Sequence, residues 1–245
     1  MKEDVFWALG KVYFFMKDNL TGLCIAIGFF VVLLAKFFAK FFFKTNTITT
    51  RFIARTGVFA AISIILYIVP GLKFPLPIFP SFLEIHLDEI PLLICGFAYG
   101  PLSAFLAIVL KTIVKLPMTT TLCVGELADL IYSTAFIIPA ALIYKKHRSF
   151  KGALVSTGIG TLIQLVVSSF LTTFVMLNFY IVVMNLPKDA ILNMVRSVGI
   201  NIDSLEWPFL YAVALPFNAL KDAIVIVITL LLYKRIHILI EKVIK

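Results

Sequence analysis

Residues 90–115 read IPLLICGFAYGPLSAFLAIVLKTIVK, and the parsing of that run decides the fold. It is apolar for longer than the ~20 residues that a bilayer-crossing helix needs, yet Gly100-Pro101 stands near its middle. Proline removes a backbone donor and glycine frees the chain to turn, so two short helices are expected instead of a single long one. Outward from there, apolar runs at 21–43, 52–70, 122–144, 152–184 and 208–233 read as spanning helices. The expected fold is all-α and integral to a membrane, a six-helix bundle preceded by one extra N-terminal transmembrane helix. Residues 1–50 hold that extra helix, an amphipathic segment before it and the polar hinge TNTITT, while residues 51–245 form the six-helix domain.

Composition agrees with lipid as the main solvent. Hydrophobic residues make up 61% of the chain and charged ones 14%, with 24 phenylalanines and a mean hydropathy of +1.05. The net charge of +9 does not mark a nucleic-acid partner, because the basic residues flank the apolar runs instead of forming one basic face. Lys145, Lys146, Arg148 and Lys151 fill one short loop, and Lys234, Arg235, Lys242 and Lys245 follow the last span. By the positive-inside rule both places are cytoplasmic. The chain is then a multi-pass protein of the cell membrane with its N-terminus outside and C-terminus cytoplasmic, and residues 71–87, 117–126 and 185–207 face outward. The first apolar run ends in Phe41, Phe42 and Phe43 and follows acidic residues, which fits a retained helix better than a cleaved leader.

Catalytic and metal chemistry find no support. Cys24, Cys95 and Cys123 lie far apart without CxxC spacing, the three histidines are scattered, and HExxH, GxSxG and Walker A are absent, so no metal, cofactor or catalytic residue is expected. The informative polar groups are those set among apolar ones. Residues 74–91, FPLPIFPSFLEIHLDEIP, form a stiff, proline-rich, apolar segment on the outer side, suited either to cover an apolar or aromatic ligand or to dip into the headgroups. Asp88 and Glu89 suit the N-terminus of the next helix, where they oppose its dipole. Glu126 and Asp129 are three apart and share a helix face. Asn218 and Lys221 of PFNALK share another, about 15 Å into the last span, where an ammonium is expensive and marks a functional site by default. An amide, an ammonium and facing carboxylates supply donors and acceptors for a neutral polar heterocycle, or else Lys221 pairs internally with Asp129 or Glu126. Gln164, Ser168 and Thr172 repeat every four residues on the preceding helix. Gly57, Ala60 and Ala61 make a smooth stripe that fits either internal packing or a partner subunit.

Taken together, FPLPIFPSFLEI with EIP following, GFAYGPLSA, GELADLI, ALIYKK and PFNALK resemble the S components of energy-coupling factor (ECF) vitamin transporters, the riboflavin-specific type in particular. The resemblance covers about residues 51–233. It implies a six-helix S-component bundle that encloses one riboflavin, with Asn218 and Lys221 binding the flavin and the loop around Leu76, Ile78 and Phe79 covering its ring. It also implies partners: a transmembrane coupling subunit, met by the Gly57 to Ala61 stripe, and two cytoplasmic ATPases. Asp129 stands where the family pattern usually has asparagine, and His86 where it usually has an acid. The rival readings are a proton-coupled carrier working through Lys221 and Asp222, or a membrane enzyme using Glu126 and Asp129. Replacing Lys221 or Asn218 by alanine is expected to weaken binding without unfolding the bundle.

Overall fold

The computed structural model describes residues 49–244, with side chains to residue 233. The expected extra helix and the amphipathic segment before it lie outside the described residues. Helix α1 (Thr50–Ile68) starts where Thr49 Oγ1 accepts a hydrogen bond from the Phe52 amide at 3.3 Å, and it stops before Pro70. Its buried positions, Thr56, Ala60, Ser63 and Tyr67, repeat every three or four residues and form one inward stripe. Ile53, Val58, Ile62 and Ile65 stay exposed on the other faces.

A 3₁₀ turn (Pro70–Leu72) leads into the loop expected from sequence to be the outer one, whose ends pair as a minimal antiparallel hairpin, β1 (Phe74–Pro75) with β2 (Glu84–Ile85). The broken apolar run follows. Helix α2 (Glu89–Tyr99) ends at Gly100, whose φ of 91° is one that L side chains rarely adopt, and Pro101 opens α3 (Pro101–Lys115). The expected division of residues 90–115 into two helices thus falls at the glycine-proline pair. Every residue of α2 from Glu89 to Phe97 is buried.

Helices α4 (Val124–Lys146) and α5 (Phe150–Leu171) form a close antiparallel pair. Gly160 permits the approach, since a Cβ there would lie 2.6 Å from the Phe136 carbonyl oxygen. The same span continues through a π-helical stretch (Thr172–Met176) into α6 (Leu177–Val182). Residues 185–207, read from sequence as outer loop, contain α7 (Lys188–Ser197), which buries only Ile191 and Val195. A short α8 (Trp207–Phe209), a second π stretch (Leu210–Ala214) and α9 (Leu215–Ile244) complete the described chain. Among the described residues five helices are long and apolar enough to cross a membrane, and α2 is a shorter apolar one.

Two apolar clusters organise the interior. One gathers Leu92, Leu93, Ile108, Phe136, Tyr144 and Val225, and the other lies beneath the loop around Phe79, Ile85, Leu177, Ile191, Phe209 and Phe217. Among the buried residues of α9, Phe217 is the last in the second cluster and Val225 the first in the other, and Asn218, Lys221 and Asp222 form a polar layer between them.

Candidate functional site

A cavity of about 270 Å³ opens at the level of that polar layer, beneath the outer loop. Its floor is Phe217, Asn218 and Lys221 of α9. Asn218 Nδ2 donates to Ser169 Oγ at 3.2 Å, and Lys221 Nζ lies 3.3 Å from Glu89 Oε2. Gln164 Nε2 donates to the other Glu89 oxygen at 2.8 Å, so the buried carboxylate is held from both sides. A charge at this depth persists only when paired, and α2 supplies that partner from inside the bundle.

One wall comes from α4, with Gly125, Glu126, Ala128, Asp129 and Tyr132. Two threonines build the turn before it. Thr119 Oγ1 accepts from the Thr121 and Cys123 amides, and Thr121 Oγ1 accepts from the Gly125 amide, so side chains satisfy donors at the start of the helix. Both hydroxyls then donate to Glu126 Oε2, at 2.8 and 3.3 Å, and fix that carboxylate at the rim. Leu122 and Cys123 take positive φ angles of 50° and 70° to make the bend. Deeper in the wall, Asp129 pairs at 2.6 Å with Lys111 of α3.

The opposite wall is the irregular end of the span that begins with α5. Thr172 and Met176 of the first π stretch line the cavity with Leu177 and Tyr180 of α6, and Tyr132 bonds Thr172 across it at 3.1 Å. The two π stretches pack against each other. Such bulges are rare and frequent at functional sites, because the extra residue re-aims the side chains that follow. The outer loop contributes Phe82, Leu83, Glu84 and His86, and Lys73 pairs with Glu84 at 2.9 Å near the mouth. A second, apolar cavity of about 250 Å³ adjoins the first and shares Phe82, Leu177 and Tyr180 with it; Met184, Leu186, Ile191 and Met194 form the rest.

Of the residues singled out from sequence, Glu126, Asp129, Asn218 and Lys221 meet around one cavity. Leu76, Ile78 and Phe79 do not line it. Phe79 packs edge-on against Phe217 at 5.3 Å, Leu76 lies against the same cluster, and Ile78 is 60% exposed; Phe82 and Leu83 face the cavity in their place. Gln164 is fully buried and reaches the floor through Glu89. In the α1 stripe, Ala60 packs into the core, whereas Gly57 has open space where a Cβ would stand and Ala61 is exposed.

The internal ion pairs differ from those expected: Lys221 pairs with Glu89, and Asp129 with Lys111. Asp88 and Glu89, read as helix-terminal charges, pair with the two buried lysines, and Asp88 makes no side-chain capping bond. Lys111 went unread, although an ammonium near the end of an apolar run carries the same signal that singled out Lys221.

This arrangement matches a known family over most of the chain. The family model described as "ECF transporter, substrate-specific component" matches residues 51–233. The chain belongs to that family. Among its relatives, the riboflavin transporter RibU of Staphylococcus aureus is 27% identical over 71% of this chain and 86% of its own length. The riboflavin transporter FmnP of Bacillus subtilis is 28% identical over 76% of this chain and 93% of its own. In fold, the chain is similar to a solved structure of the S component of a bacterial ECF transporter, with a TM-score of 0.58 and 24% identity, covering 76% of this chain and 95% of that one. As an ECF substrate-specific component the chain is a transport subunit and not an enzyme.

Proposed function

We propose that the chain captures riboflavin, or a close flavin, in the cavity beneath the outer loop and delivers it inward with an ECF coupling subunit and two ATPases. The observation that carries this reading is the mixture of groups around one enclosure. Asn218 and Lys221 offer N–H donors to ring carbonyls, Asp129 and Glu126 offer acceptors to N–H or hydroxyl groups, and Tyr67, Phe82, Tyr132, Tyr180 and Phe217 offer flat apolar surface. The volume sits just below the roughly 300–1,000 Å³ usual for small-molecule sites. The adjoining apolar cavity suits the dimethylbenzene edge of the ring. Two relatives named riboflavin transporters support the choice of ligand.

The cavity lies at the end of α4 opposite Lys145, Lys146, Arg148 and Lys151, so the positive-inside rule puts its mouth outside and the C-terminus in the cytoplasm. The open face of α1 around Gly57 and Ala61 is the surface that meets the coupling subunit. The test is to purify the protein, remove any yellow, fluorescent flavin that accompanies it, and titrate riboflavin while following flavin fluorescence. Saturable, tight quenching is expected. No binding of riboflavin, FMN or their analogues overturns the ligand assignment.

A further inference from the structure

Lys111 does not line the cavity, yet it is fully enclosed beside it, with 0% of its side chain exposed. Its ammonium donates to Asp88 Oδ2 at 2.6 Å and to Ser133 Oγ at 3.2 Å, and it pairs with Asp129 Oδ2 at 2.6 Å. The Tyr67 ring lies beneath it at 4.8 Å. Three acceptors surround a group that has three N–H donors and no acceptor, so Lys111 has nothing left to offer a ligand directly. Of the three, only Asp129 reaches the cavity, where 16% of its side chain is exposed. The triad also ties α3 and α4 to Asp88, the residue that ends the outer loop and precedes α2.

We propose that Lys111 is a positioning residue that selects the ligand through Asp129: it holds that carboxylate as a fixed, acceptor-only group, so the wall recognises a ligand N–H or O–H donor. The proposal rests on the flavin reading above. A flavin carries such donors in two places, the imide N–H of the pyrimidine ring and the hydroxyls of the ribityl chain. An asparagine at 129 presents both a donor and an acceptor and discriminates less.

The experiment measures binding of riboflavin, 3-methylriboflavin (imide blocked) and lumiflavin (no ribityl chain) to the purified protein and to three variants. A bond to an ionised group is worth roughly one to two powers of ten in affinity, so the wild type prefers riboflavin over one analogue by about 10- to 100-fold through this contact. The analogue that suffers identifies which donor Asp129 takes. Asp129→Asn keeps the Lys111–Asp88 pair, folds, and cuts that preference about tenfold. Lys111→Gln, which leaves Asp129 without its ammonium, loses more affinity than Asp129→Asn, and the double variant returns to the Asp129→Asn level of affinity and preference. A merely structural lysine gives the opposite pattern, with the losses adding and the preference untouched by Lys111→Gln. If the wild type binds riboflavin while Asp129→Asn and the double variant keep its full preference, this inference is overturned and the flavin reading stands. If the wild type binds none of the three, both are overturned.

Discussion

Replacing Lys221 by methionine removes an ammonium that is 3.3 Å from Glu89 and leaves that carboxylate, 1% exposed, inside the bundle. Removing one partner of a buried pair costs about 3–5 kcal/mol, most of it from the charge left behind. The Gln164 amide still donates to the other Glu89 oxygen at 2.8 Å, which keeps the loss toward the lower end, about 3 kcal/mol. For a chain of this size each kcal/mol moves the unfolding midpoint by about 2–4 °C, so Lys221→Met melts about 6–12 °C below the wild type. Thermal unfolding in detergent, followed by circular dichroism, measures the shift, and flavin titration of the same samples measures binding. Adding Glu89→Gln removes the stranded charge and returns the stability to within about 1 kcal/mol of the wild type, while flavin affinity stays low because the donor is gone. A Lys221→Met protein that melts with the wild type refutes the reasoning, since Glu89 would then not depend on Lys221.

Three further outcomes are expected. Asn218→Ala, which loses one bond to Ser169 and one donor in the floor, weakens riboflavin binding by about 5- to 30-fold in fluorescence titration and leaves the melting midpoint within a few degrees. Gly160→Ala forces α4 and α5 apart at the Phe136 carbonyl and lowers stability by about 1–3 kcal/mol, read as a lower midpoint with flavin affinity nearly unchanged. Burial pushes the His86 imidazole below its ordinary range, with Lys221 and Lys111 adding to the push and Asp88 and Asp129 opposing it. Its folded value is therefore the lower one, so the unfolded chain takes up a proton first and stability falls as pH drops through about 6.5; His86→Gln flattens the loss of melting midpoint between about pH 7.5 and 5.5.

The helices were legible because lipid imposes length and apolarity on each of them, and Gly100-Pro101 marks a break inside an apolar run. Asn218 and Lys221 were legible for the same reason turned round: polar atoms in an apolar run need a purpose. Their partners were not, because pairing depends on how helices rotate about one another. Glu89 before a helix looks the same whether it opposes a dipole or meets a lysine on a distant helix. The lining of the cover was misplaced by a few residues. In the loop, prolines at 75, 77 and 80 and phenylalanines at 74, 79 and 82 follow no helical or strand period, so the sequence does not say which rings turn inward. The π stretches leave no mark in the apolar pattern, and α7 is too short and too polar to stand out between prolines and glycine.

Helix α2 has a consequence for how the protein is made. Its 11 residues extend about 16 Å, roughly half the ~30 Å hydrocarbon core, and it carries a carboxylate at its start. Alone in lipid it would strand both that charge and the backbone groups at its ends. Membrane insertion one helix at a time is therefore closed to this segment, which must enter with α3 as a hairpin and find its sheath of neighbours already assembling. Asp88 can meet Lys111 within that hairpin, but Glu89 meets Lys221 only when helices made early and late in synthesis come together, so that pair reports that the bundle has closed.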